Sequence, residues 1–97
     1  MIQIKLILLI FSTNTIRFIP AINVDGYNFF KQNFNNKFNL FARKNRHKEI
    51  ECHSDLEIGV DLNRNYETAF GYDDKGGSNN PCEENYRGKY PFSEKET

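Results

Sequence analysis

The chain has 97 residues, 13 of them basic and 13 acidic, so its formal charge is zero and it lacks the electrostatic footprint of a nucleic-acid binder. A chain of this length builds one small domain at most and buries a modest share of its surface. Its two cysteines have no Cys-x-x-Cys spacing, which argues against a thiolate zinc site or a dithiol redox motif.

In chain order, Lys5 is followed by the apolar run Leu6 to Phe11. The run is far shorter than the ~20 residues that cross a bilayer, so no membrane span is expected. It fits either a signal peptide, with Lys5 as the charged start, or a buried strand. Residues 1–15 are therefore set apart from residues 16–97. Residues 16–22 are β-branched and aromatic, which predicts a buried strand with Pro20 near its end. Asp25-Gly26 supplies the turn after it. Phe30, Phe34, Phe38 and Phe41 recur at helical spacing and read as the core-facing stripe of a helix, although Asn33, Asn35, Asn36 and Asn39 lower its propensity.

Residues 47–57 are polar and charged and read as a surface loop. A short strand is expected over 58–62, a bend or short helical turn over 63–70, and a Gly/Asp/Ser/Asn-rich loop over 71–80. Ser93-x-x-Glu96 is a capping-box pattern, predicting that a helix starts at Ser93.

Arginine is sparse, and four of the five arginines fall in pieces that belong together. These pieces are Phe18-Ile19-Pro20-Ala21-Ile22-Asn23-Val24-Asp25-Gly26-Tyr27, Arg43-Lys44-Asn45-Arg46, Gly59-Val60-Asp61-Leu62-Asn63-Arg64-Asn65-Tyr66, and Asn80-Pro81-Cys82-Glu83-Glu84-Asn85-Tyr86-Arg87-Gly88 with Pro91-Phe92-Ser93-Glu94. In this order they resemble the middle of a zinc metallocarboxypeptidase of the carboxypeptidase A/B type, over roughly residues 17–97. The resemblance implies an internal part of the catalytic domain. It implies an α/β fold, a partial α/β/α sandwich with a mixed central sheet. It also implies removal of C-terminal residues from peptides by zinc-activated water in the complete enzyme, with peptide or protein C-termini as partners.

The resemblance places Asn63 and Arg64 on the substrate's C-terminal carboxylate, a task suited to the planar arginine fork. Asp61 and Asn65 flank the pair and are placed to orient Arg64. Arg46 matches the family arginine that polarises the scissile carbonyl and stabilises the oxyanion, and Arg43 matches one that contacts substrate further from the cut bond. Phe41-Ala42 departs from the family, which often has an aromatic directly before the Arg-Lys pair.

Cys82 sits where many secreted relatives carry a disulfide, and Cys52 is the partner that the resemblance implies, across an acidic insertion at 49–57. That pairing implies an oxidising compartment or secretion; the alternative is two free thiols in an intracellular protein. His47 and His53 lack the family's His-x-x-Glu spacing, since Ile50 and Leu56 stand three residues on. No metal ligand is assigned, and zinc is expected in the complete enzyme without being bound by this chain alone. A noncatalytic relative that binds peptide C-termini, and a nonfunctional gene fragment, stay open as alternatives.

Overall fold

The computed structural model describes residues 2–33 and 43–97. Helix α1 (Ile2–Thr13) and helix α2 (Val24–Gln32) are followed by a long irregular stretch with 3₁₀ turns at Asp55–Glu57 and Leu62–Arg64. The sandwich with a central sheet is not found. Among the described residues the only β pairing is two isolated bridges, Lys44 with Asp61 (antiparallel) and Ser78 with Tyr86 (parallel). A strand is stable only where neighbours take up its backbone groups. Residues 16–22 find none among the described residues: they form no strand and bend at Pro20 and Ile22, with Phe18 81% and Ile19 70% exposed. Residues 58–62 keep a single bridge, at Asp61.

The N-terminal apolar run is helical, so the buried-strand alternative for it fails; its side chains from Ile4 to Phe11 are largely exposed. No described helix is long and apolar enough to cross a membrane. Asp25-Gly26 belongs to the first turn of α2 instead of ending a strand. Asn23 caps that helix, its side-chain oxygen accepting from Gly26 N at 3.0 Å, while its Nδ2 donates to the carbonyls of Arg43 and Lys44. Asp25 suits the positive end of the helix dipole and Lys31 the negative end. Of the phenylalanine stripe, Phe30 lies in α2, and Phe34, Phe38 and Phe41 lie outside the described residues. The helix predicted from Ser93 is not found, residues 94–97 making only a bend and a turn; the Ser93 hydroxyl donates to Glu94 Oε1 and accepts from Asn65 Nδ2 in place of a capping bond to the amide three residues on.

With no sheet, the interior is mostly polar. The buried apolar side chains among the described residues are Val60, Leu62 and Tyr86; beside them lie Lys44, Asn45, Asp61, Asn65 and Glu94. Asn45 takes the place of a ladder. Its N–H donates to Val60 O, its Oδ1 accepts from Val60 N, and its Nδ2 donates to Glu94 Oε2 at 2.7 Å. Lys44 is fully buried, and the carbonyls of Glu57, Pro81 and Glu83 accept its three ammonium protons at 2.5 to 3.0 Å. Burial, followed by the charge of Arg46, pushes the Lys44 pKa down to about 8. The three carbonyls oppose that drift, because a neutral amine has only two protons to donate.

Two glycines are required by this packing. Gly59 has φ +114°, and a Cβ there would stand 1.8 Å from Asn45 O. Gly88 has φ +85°, and a Cβ there would meet Asn65 Nδ2 at 2.5 Å and Ser93 Oγ at 2.6 Å. The substitution Gly59→Ala displaces the Asn45 backbone and is expected to cost several kcal/mol, on the order of 3 or more, from strain plus lost hydrogen bonds. Urea unfolding of the two proteins measures it, and a change below about 1 kcal/mol would count against the polar interior described here.

Glu94 yields a second test. Burial raises its pKa, but hydrogen bonds from Asn45, Ser93 and His47 outweigh burial and hold it below its ordinary value of 4.5. A carboxylate depressed by folding contributes stability that is complete above the unfolded pKa and disappears as pH falls through the folded one. Stability should therefore decline on acidification below about pH 4.5, and Glu94→Gln should flatten that decline while lowering stability at pH 7. Melting temperatures from pH 7 to pH 2 provide the comparison.

Candidate functional site

Asn63 and Arg64 sit in a 3₁₀ turn built by Asp61. The Asp61 Oδ1 accepts from Asn63 N at 3.1 Å, its carbonyl accepts from Arg64 N at 2.8 Å, and Asn65 N closes the turn onto Leu62 O. Asn65 is itself immobilised: its Nδ2 lies against the carbonyls of Arg87 and Tyr90 and against Ser93 Oγ, and its Oδ1 accepts from Glu94 N and Thr97 Oγ1. The turn is thus fixed from both flanks, and Asn63 stays exposed. Arg64 is half-buried, donating from Nε to Gly76 O at 2.6 Å and from Nη1 to Asn63 O at 3.2 Å. No described carboxylate pairs with it. Asn63 and Arg64 open together into a hollow of about 310 Å³, walled by Tyr66, Phe70, Tyr72 and Arg87.

Arg43 reaches the same turn from another segment. Its Nη2 lies 2.7 Å from Asp61 Oδ2, with Asp61 2% exposed, while its Nη1 is 3.5 Å from Glu84. The Asp61 Oδ2 contact is a charge contact without hydrogen-bond alignment. Asp61 therefore holds Arg43 through one oxygen and the Asn63 amide through the other.

Arg46 is placed elsewhere. It lines a second hollow, of about 340 Å³, with Asn45, His47, Ser93 and Glu94. Its Nε donates to Asn45 O at 2.7 Å, its Nη1 to Asp55 O at 3.2 Å, and its guanidinium lies 4.3 Å from the Phe29 ring centroid. Burial lowers its pKa, though an arginine stays protonated through the physiological range. The fold thus brings Asn63, Arg64 and, through Asp61, Arg43 together, and gives Arg46 a separate hollow. Arg87 shares the first hollow, a placement that its Tyr-Arg-Gly context did not signal.

Cys52 and Cys82 are joined, with Cα atoms 5.6 Å apart. Two groups among the described residues bring metal-ligand atoms together: Cys52, Glu57 and Cys82, and His47, Glu49 and Glu94, each within 4.8 Å. Neither fits the zinc that the family resemblance implies. In the first the sulfurs are bonded to each other, so they supply no thiolate. In the second both Glu94 oxygens are already engaged, Oε1 by Ser93 and Oε2 by Asn45 and His47, and Glu49 accepts from the Tyr86 hydroxyl. Burial and that bond push the Tyr86 pKa up. No step through zinc is assigned to these residues.

The disulfide closes a loop with a sequence separation of 30. For a loop of that length, chain entropy gives about 3 to 4 kcal/mol of stabilisation. Replacing Cys52 and Cys82 by serine should lower stability by about that amount, read from denaturant unfolding under oxidising conditions. A loss below about 1 kcal/mol would show that the acidic loop does not depend on the bridge.

The sequence profile of the zinc carboxypeptidase family matches residues 7–97. The chain is 48% identical over 64 residues to carboxypeptidase A1 of Mus musculus, covering 65% of this chain and 14% of that protein. It is 40% identical over 79 residues to mast cell carboxypeptidase A of Homo sapiens, covering 81% and 16%. Carboxypeptidase B2 of Homo sapiens is 38% identical over 89 residues, covering 87% and 19%. The chain thus spans 14 to 19% of the length of these relatives. With the profile running through the residues that build the Asp61-centred turn, the chain belongs to the zinc carboxypeptidase family.

Proposed function

We propose that this chain supplies the substrate grip of a metallocarboxypeptidase that removes C-terminal residues from peptides. The observation that supports it best is Arg64: half-buried, held by carbonyls, unpaired with any described carboxylate, and open with Asn63 to one hollow. Its outer guanidinium edge suits two parallel bonds to a peptide's terminal carboxylate, with the Asn63 amide adding a third. The zinc and its activated water belong to the complete enzyme. The disulfide supports an oxidising compartment, and hence secretion, as the setting.

For the carbonyl of the bond to be cut, the geometry favours exchanging the two assignments that the sequence suggested. That carbonyl lies one residue from the terminal carboxylate, so its arginine must stand close to Arg64. The ion pair of Arg43 with Asp61, which builds the turn of Asn63 and Arg64, supports this role for Arg43, whereas Arg46 lines a different hollow and contacts Asn45, Asp55 and Phe29. Arg46 then suits contact with substrate further from the cut.

Titrating acetyl-Ala-Phe and its C-terminal amide into the oxidised chain tests the grip. The acid should bind at least about tenfold more tightly than the amide, as expected for charge-assisted hydrogen bonds. Arg64→Gln should abolish the preference, Arg43→Ala should reduce it, and Arg46→Ala should leave it within about twofold. Equal binding of acid and amide by the unmodified chain would refute the site.

A further inference from the structure

The fold joins two cysteines that stand 30 positions apart and sets a carboxylate beside them: the sulfurs of Cys52 and Cys82 and a Glu57 carboxylate oxygen all lie within 4.8 Å of one another. All three residues are half-buried. Next to them Glu51, His53, Asn80 and Glu83 line a hollow of about 430 Å³. In the oxidised chain the sulfurs are bonded to each other. A dithiol reductant breaks that bond: two electrons and two protons pass to the sulfurs, and the reductant closes to its own disulfide. Cys52 and Cys82 then become two thiols beside a carboxylate.

The two thiols stay together because the backbone around them is held by more than the bridge. Lys44 Nζ donates to the carbonyls of Glu57, Pro81 and Glu83, so one ammonium clasps both cysteine-bearing segments. Cys82 N donates to Asn80 Oδ1 at 3.1 Å, and His53 N donates to Glu57 Oε2 at 3.1 Å. That bond orients the Glu57 carboxylate and leaves its other oxygen for a metal. The cysteine Cα atoms are 5.6 Å apart. Two thiolates on one tetrahedral ion, each about 2.3 Å from it, stand about 3.8 Å from each other. Rotation about the two Cα–Cβ bonds supplies that separation without moving the backbone.

We propose that reduction converts this bridge into a binding site for a soft divalent cation of the zinc class, with the Cys52 and Cys82 thiolates and the Glu57 carboxylate as ligands and water from the hollow in the fourth position. Two thiolates select such an ion over magnesium or calcium, and its binding releases the two thiol protons. Bridge and ion are alternative clasps on the same two segments, so the oxidised chain takes up no metal here.

Cobalt(II) is the probe, because thiolate ligation gives it a strong near-ultraviolet charge-transfer band and tetrahedral ligation gives it visible bands. The full chain is reduced with dithiothreitol, freed of the reductant by gel filtration without oxygen, and titrated with cobalt(II) chloride. One cobalt per chain should bind with both sets of bands, and zinc chloride should displace it. The oxidised chain should show neither set. Glu57→Gln should weaken binding about tenfold or more, in line with what altered metal surroundings cost elsewhere, and Cys82→Ser should abolish the charge-transfer band. Absence of the band in the reduced chain would overturn the site. So would equal binding in 8 M urea, which would show that any two cysteines on an unfolded chain suffice. Should Glu57→Gln fail to fold, alkylation decides in the unmodified chain: zinc should slow the reaction of both thiols with iodoacetamide about tenfold or more, and an unchanged rate would overturn the proposal.

Discussion

The Asn65 carboxamide is the interaction on which the C-terminal half of the structure depends. A fully buried amide meets the carbonyls of Arg87 and Tyr90, the Ser93 hydroxyl, the Glu94 amide and the Thr97 hydroxyl, while its own backbone carbonyl accepts from Phe92 N at 2.7 Å. Each bond is modest, about 1 kcal/mol net, but an amide left buried without them would cost more than any one contributes. That asymmetry makes the arrangement close to all-or-none. It also explains why Gly88 has no side chain, since a Cβ there would occupy the path by which Asn65 reaches its partners.

A second polar hub joins the segments that Asn65 does not reach. Asn45 binds Val60 through its backbone and side chain and passes a hydrogen bond to Glu94, which also takes Ser93 and His47. Lys44, next to it, gathers three carbonyls from segments 57 and 81–83, in the region also tied by the disulfide. Side-chain amides and one ammonium thus do the work that ladders perform in a sheet protein. The result is specific because donors and acceptors must match in number. It also offers little apolar burial, with three apolar side chains buried among the described residues.

The candidate site draws its rigidity from these hubs. Asp61 stands between them, bonded through its backbone to Tyr86 O and paired through its carboxylate with Arg43 and the Asn63 amide. Fixing the turn in advance removes the entropy that a binding loop would otherwise lose when substrate arrives. Gly76 O holds Arg64 at Nε, which orients its fork without neutralising it, and Gly77 O holds Arg87 at Nη1.

The residue order by itself determined the family and the balance of acidic and basic charge, and pointed through the family resemblance to Cys52 as the partner of Cys82, because these depend on residue identity and order in motifs. Residue propensity misjudged residues 16–22 and the capping-box pattern misjudged Ser93, since a strand or a helix start becomes real only when its neighbours accept its backbone groups. The Asn23 cap was readable from its position before an acidic first turn, yet the Asp-Gly pair after it pointed to a turn. Only the tertiary structure decided that Arg43 joins the Asn63-Arg64 turn, that Arg46 faces another hollow, and that Arg87 stands beside Arg64. Those outcomes rest on single contacts such as the Arg43–Asp61 ion pair and the hydrogen bonds of Arg46 to Asp55, Arg87 to Gly77 and Asn45 to Glu94, nine to forty-nine positions apart. Contacts of that kind leave no spacing pattern along the chain, so local sequence carries no signal for them.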